Sequence, residues 1–198
     1  QTLEQFEAWL DEKPEHANSD LGLFWRMSKD IGLDQYGKGH GRFTTWGYLP
    51  HEDKYQNPTI DGRSDAVIMK SGIYDGASDT FSPMDQSFVR EDTQHAWYDE
   101  AAGAVHPFDR TTAVSHAESG RLEAGPLARR LVAGNDTGHD FQHSDGLVLD
   151  MYRKMGGAST MLRHFARMHE LCILYREAER NLREFQLNDE WYIKPTEK

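Results

Sequence analysis

From Pro50 to Arg121 the chain contains no leucine, and Gly, Asp, Ser and Thr dominate that stretch. A segment so poor in strong helix formers and so rich in turn residues cannot build an ordinary amphipathic helix. Short runs such as Phe43 to Tyr48 and Ala66 to Met69 read instead as strands. The helical patterns gather at the two ends. The chain therefore divides into a helical part over 1–33, a loop-rich part with short strands over 34–121 and a second helical part over 122–198. The expected class is α+β, mainly helical. Leu, Ile, Val and Phe together number 37 of 198 residues, just under the roughly 20% that marks disorder when net charge is high. Five Trp and eight Tyr argue for a folded chain. Both facts fit a single segment of a larger domain, which buries much of its surface against other protein.

At the N-terminus Thr2 and Gln5 have the spacing of a capping box, and Leu3, Phe6, Trp9 and Leu10 share one helical face before Pro14. A second helix is predicted from Ser19 or Asp20, carrying Leu21, Phe24, Trp25 and Ile31 and stopping at Gly32. After Gly125-Pro126 a helix runs from Leu127 to Ala133, and another covers Asp145 to Met155 behind a Ser144 cap. The last helix spans roughly Ser159 to Phe185. On it Met161, Phe165, Met168, Cys172, Tyr175 and Leu182 fall on one stripe, so this helix is expected to cross a core. Cys172, within an apolar run, reads as a buried inert thiol. The charged residues after Tyr175 read as a solvated face with local ion pairs.

A net charge of -11 argues against nucleic acid or an anionic membrane surface as partner. No run approaches the roughly 18 apolar residues of a membrane span. The expected location is the cytoplasm, with membrane association only through partners.

Gly32 to Gly39 has the Gly-x4-Gly-Lys spacing of a phosphate loop, with Lys38 in the lysine place. It lacks the following Ser or Thr and the preceding strand, so nucleotide binding is rejected. Gly37, Gly39 and Gly41 are read as allowing close approach to a neighbouring surface, with His40 and Arg42 presented to a partner. Among the ten His, His139 and His143 have ligand-like spacing but polar, loop-like neighbours. The paired Glu-x-x-His motif of carboxylate di-iron proteins is absent, and His169-Glu170 meets Ile173 where a zinc protease needs its second His. His164 and His169 are read as core or interface histidines paired with carboxylates. A hydrolase elbow, Gly-x-Ser-x-Gly, is absent as well.

Four ordered signatures carry a family resemblance: His95-Ala96-Trp97-Tyr98, His106-Pro107-Phe108-Asp109, Glu123-Ala124-Gly125-Pro126-Leu127-Ala128-Arg129, and Ser159-Thr160-Met161-Leu162-Arg163 with Ala166-Arg167. They resemble nickel-iron hydrogenase large subunits. The run from Gly39 to Gly47 is most similar to the oxygen-insensitive, high-affinity actinobacterial-type branch. One departure follows Thr112, where Ala113 begins directly and the family's Tyr-Ser/Thr-Trp strand is missing.

The resemblance implies the central part of the large-subunit fold, with long core helices and a small loop-rich β region. It implies dihydrogen oxidation to protons and electrons, passed to an iron-sulfur small subunit. It also implies a nickel-iron centre carrying carbon monoxide and cyanide, held by two Cys-x-x-Cys pairs. Soft thiolates suit such a centre, and the chain's one Cys cannot replace four. No catalytic or metal residue is therefore assigned here. The partners implied are the remainder of the large subunit and the small subunit, in a higher oligomer of heterodimers. His40, Arg42 and Trp46 are expected at the small-subunit interface, and Glu123, Gly125, Pro126 and Arg129 form a structural motif. Two alternatives stay open: the related quinone-site subunit of respiratory complex I, and a non-catalytic helical interaction module.

Overall fold

The computed structural model describes residues 1–50, 67–84, 89–92, 114–117, 121–134 and 146–185. The His95 to Tyr98 and His106 to Asp109 signatures, the Thr112-Ala113 junction, His139, His143 and Ser144 lie outside the described residues.

Helix α1 (Leu3–Glu12) starts with the capping box its sequence encodes. The Gln5 N–H donates to Thr2 Oγ1 at 3.3 Å and the Thr2 N–H to Gln5 Oε1 at 2.9 Å, which satisfies two of the helix's orphan donors. A one-turn helix not foreseen from the pattern, α2 (Pro14–Ala17), follows with Pro14 at its start. It exists because His16 folds back on Trp9: the rings stack at 4.3 Å and His16 Nδ1 lies 2.8 Å from the Trp9 carbonyl. Helix α3 (Asp20–Asp30) is capped by Ser19 Oγ and ends at Gly32, whose φ of 69° suits only a glycine readily. Ile31 was expected on the buried face but is 67% exposed, because it sits past the last helical turn.

The middle of the chain forms more strand than its composition suggests. β1 (Arg42–Pro50) and β2 (Val67–Asp75) are nine residues each and antiparallel, with Phe43 opposite Tyr74 and Thr45 opposite Gly72. β3 (Thr80–Ser82) adds to the outer edge of β2, while β4 (Val89–Asp92) and β5 (Val114–Ala117) make a separate antiparallel pair. Gly72 broke the apolar pattern of β2, and its reason is packing: a Cβ there would lie 3.2 Å from Val132 Cγ1.

Helix α4 (Pro126–Ala133) lies across β1 and β2 and against α6. It buries Leu127, Ala128, Leu131, Val132 and Ala133, as well as Arg130. Helix α5 (Leu147–Lys154) precedes α6 (Thr160–Glu184), which Ser159 Oγ caps by accepting the Leu162 N–H at 3.1 Å. Two aromatic clusters hold these layers together. Phe6, Trp25 and Phe165 meet edge to face at centroid distances of 5.0 to 5.6 Å, joining α1, α3 and α6. Phe43, Tyr74 and Tyr152 join the sheet to α5, with Tyr152 edge-on to both partners at 5.6 and 5.5 Å. The result is the mainly helical α+β arrangement expected, with a three-stranded antiparallel sheet.

The apolar stripe assigned to α6 is buried only in its first half. Met161 and Phe165 are fully buried, whereas Cys172, Tyr175 and Leu182 are exposed, so the reading of Cys172 as a buried thiol is corrected. The charged tail of α6 does form local pairs, Arg180 with Glu177 and Arg183 with Glu179, yet Glu177 itself is buried. Among the described residues no helix is long and apolar enough to cross a membrane.

Candidate functional site

Glu123 stands at the junction of sheet and helices. Its N–H donates to the Arg42 carbonyl at 2.9 Å and its carbonyl accepts the Thr44 N–H at 2.8 Å, so the chain before α4 bridges in parallel to the free edge of β1. Its side chain then reaches α6, where Arg163 donates through Nε and Nη2 to the two carboxylate oxygens, each at 2.7 Å. Seven residues further along α6, Glu170 accepts a second fork from Arg129 of α4 at 2.6 and 2.7 Å. Seven residues is close to two helical turns, so Arg163 and Glu170 share one face. The Glu-x-Gly-Pro-Leu-Ala-Arg run thus fastens sheet and α4 to the long helix through two bidentate pairs. Their hydrogen bonds to carboxylate raise the pKa of both guanidiniums, against an opposing effect of burial. Gly125, at φ 121°, turns the chain into α4, and Pro126 occupies the first helical position.

The glycine loop sits on this same clamp. The Gly37 carbonyl accepts from Arg163 Nη1, and the Thr160 N–H donates to the Tyr36 carbonyl at 2.8 Å. A Cβ at Gly37 would lie 2.3 Å from Thr160 Oγ1, and one at Gly39 would lie 2.9 Å from Arg163 Nη2. Within this chain Gly37 and Gly39 approach α6, and Gly41 approaches Tyr152 of α5. His40 is exposed, and its Nδ1 accepts the Arg42 N–H at 3.2 Å. Arg42 Nε lies 3.3 Å from Asp75 Oδ2 across the strand pair. Trp46, further along β1, is 42% exposed. The structure thus gathers His40, Arg42 and Glu123 in one neighbourhood and leaves Trp46 along the strand.

A group that sequence reasoning missed lies beside them. The loop before β1, the β2–β3 turn and the α5–α6 turn enclose a cleft of about 430 Å³ lined by Lys38, His40, Tyr74, Asp79, Tyr152 and Arg153 among others. Asp79 accepts from Tyr74 Oη at 3.0 Å and Arg153 Nη2 at 2.8 Å, and these hydrogen bonds outweigh burial in lowering its pKa. Turn glycines at 76, 156 and 157 were the one visible signal, and nothing in their spacing joins them to residues 38–41.

A family model described as nickel-dependent hydrogenase matches residues 15–193. The chain belongs to the nickel-dependent hydrogenase family. Among solved structures it is similar to the nickel-iron-selenium hydrogenase of Desulfovibrio vulgaris Hildenborough, with 17% identity and a TM-score of 0.62 over 99% of this chain and 44% of that one. It is also similar to the nickel-iron-selenium hydrogenase of Desulfomicrobium baculatum, with 21% identity and a TM-score of 0.61 over 98% of this chain and 42% of that one. The curated proteins gave no match. The chain therefore spans less than half the length of the hydrogenase chains whose fold it shares.

The residues of this hydrogenase chain do not fit a thiolate-held metal centre. Its one cysteine, Cys172, is exposed on α6, and no group of three His, Cys, Asp or Glu side chains converges among the described residues. His169 is buried and stacks parallel to Phe165 at 6.0 Å. His164 is exposed and meets the Phe24 ring at 6.2 Å. Among the described residues neither histidine belongs to a ligand cluster.

Proposed function

We propose that this chain is the central scaffold segment of a nickel-iron hydrogenase large subunit, which oxidises dihydrogen and passes the electrons to an iron-sulfur small subunit. The observation that carries this reading is the family match over residues 15–193, which favours it over a complex I subunit or a free-standing interaction module. The scaffold role rests on the clamp: two charged forks tie the sheet edge and α4 to the long helix α6, one aromatic cluster ties α1 and α3 to it, and the other ties α5 to the sheet. Such rigidity holds whatever packs against α6 in fixed geometry. The nickel-iron centre, with its carbon monoxide and cyanide ligands, belongs to cysteine pairs outside this segment. His40, Arg42 and Trp46 face the small subunit in this reading, and the heterodimers join in a higher oligomer. The Gly39 to Gly47 run supports the oxygen-insensitive actinobacterial-type branch, in a cytoplasmic enzyme bound to membrane only through partners.

The test is to purify the complete native complex and assay hydrogen oxidation, nickel content and infrared bands of iron-bound carbonyl and cyanide. Nickel, those bands and activity that persists in air are expected. A complex free of nickel and inactive with dihydrogen would refute the reading.

A further inference from the structure

Tyr152 lies where three turns converge. A Cβ added at Gly76 would sit 2.0 Å from its hydroxyl oxygen, one at Gly41 3.5 Å and one at Gly157 3.9 Å. At Gly76 the approach is too close for any side chain, and the other two turns lie at van der Waals distance. Tyr152 is 6% exposed, and it lines the cleft of about 430 Å³. Its ring is buried, while its hydroxyl makes no hydrogen bond with any described residue and opens on the cleft, where it can meet a ligand. Burial, then the charges of Asp75, Glu123 and Asp79, raise its pKa, so it remains a donor.

The other polar groups of the cleft sort the same way. Lys38 forms no ion pair with a described residue. His40 accepts at Nδ1, which leaves its Nε2–H as a donor. The neighbouring carboxylates are already engaged, Asp79 by Tyr74 and Arg153, Glu123 by Arg163 and Asp75 by Arg42. What remains is a donor-lined cleft with one unpaired positive charge among the described residues, that of the exposed Lys38, and this combination favours an anionic acceptor.

We infer that this cleft receives an Asp or Glu side chain of the iron-sulfur partner subunit, which accepts from Tyr152 Oη and pairs with Lys38. The inference rests on the proposed function. It commits to that partner because His40 lines the cleft and Arg42 follows on the same strand, the residues proposed to face the small subunit. The volume suits an acidic side chain with its flanking backbone better than a small free anion.

The native two-subunit complex is treated with a carbodiimide, which condenses an amine and a touching carboxylate into an amide with loss of water, and the products are mapped by peptide mass spectrometry. An amide between Lys38 and an Asp or Glu of the iron-sulfur subunit is expected. Tyr152→Phe, which removes only the hydroxyl, should raise the subunit dissociation constant about tenfold at unchanged nickel content. Lys38→Gln, on an exposed loop that tolerates the change, should do the same at low salt and flatten the salt dependence. A Lys38 amide to a carboxylate of the large subunit itself overturns the inference. So does a Lys38 that stays unlinked while other lysines link across the interface, including one that acetate alone protects. Unchanged dissociation constants in both variants overturn it too. If the nickel-bearing chain purifies with no iron-sulfur subunit, the proposed function falls and this inference with it. The other negative outcomes leave that function standing.

Discussion

In the first half of α6, Met161, Leu162, Phe165 and Ala166 have no exposure, whereas in the second half Tyr175 and Leu182 are 69 and 78% exposed. The inward positions of the second half carry Ile173 and the carboxylate of Glu177. One helix thus follows two patterns. The difference lies in the neighbours: α3, α4 and α5 all pack on α6, and the aromatic and ionic contacts they make fall between Arg163 and Glu170. Helical spacing says which residues share a face, and neighbouring elements decide whether the face is buried.

The strongest way to break this contrast is to truncate a side chain in each half. Phe165→Ala removes a ring shared by α1, α3 and α6, and should cost about 3 to 5 kcal/mol in thermal or denaturant unfolding. Leu182→Ala should change stability by no more than about 0.5 kcal/mol. Equal losses at both positions would erase the distinction.

The ionic contacts sharpen the same comparison at smaller scale. Glu170→Gln leaves Arg129 without its charged partner in a mostly buried fork, and should cost about 2 kcal/mol. Arg183→Ala breaks an exposed pair on the second half and should cost about 0.3 kcal/mol. Melting curves of the two variants compare the losses directly.

A still smaller effect acts on the sheet cluster through pH. Burial is the first cause that raises the phenol pKa of Tyr74 and of Tyr152. Above the ordinary phenol value of 10.0 the unfolded chain therefore ionises first, and stability present below that pH falls as pH rises. Tyr74→Phe should flatten the alkaline slope of the melting temperature, read from melts at several pH values above about 9.

Much of the fold was legible where a local rule coincides with a local structure. The Thr2 and Gln5 capping box, the Ser19 and Ser159 caps, the Gly32 stop and Pro126 at the start of α4 all form from residues within a few positions of one another. The Glu123 to Arg129 run stood out as a motif, but its partners Arg163 and Glu170 lie 40 and 41 residues away, and no spacing names them. The strands were underestimated because Gly72 and the polar residues of β1 interrupt the alternation, and α4 packs where a side chain would otherwise project. The exposure of Cys172 was missed for the reason the two halves of α6 display: an apolar run was taken for a buried one. The cleft was least visible, since it draws on turns separated by tens of residues and its central group, Tyr152, looks in sequence like any core aromatic.

The central claim is that this segment is scaffold and that the metal chemistry belongs to cysteines outside it. Its most direct test is the nickel content of the complete enzyme carrying Cys172→Ser. Nickel and hydrogen oxidation equal to those of the unaltered enzyme are expected, because the one thiol of this chain is exposed on α6 and belongs to no ligand cluster among the described residues. Loss of nickel in proportion to the substitution would place the metal on this segment and end its reading as scaffold alone.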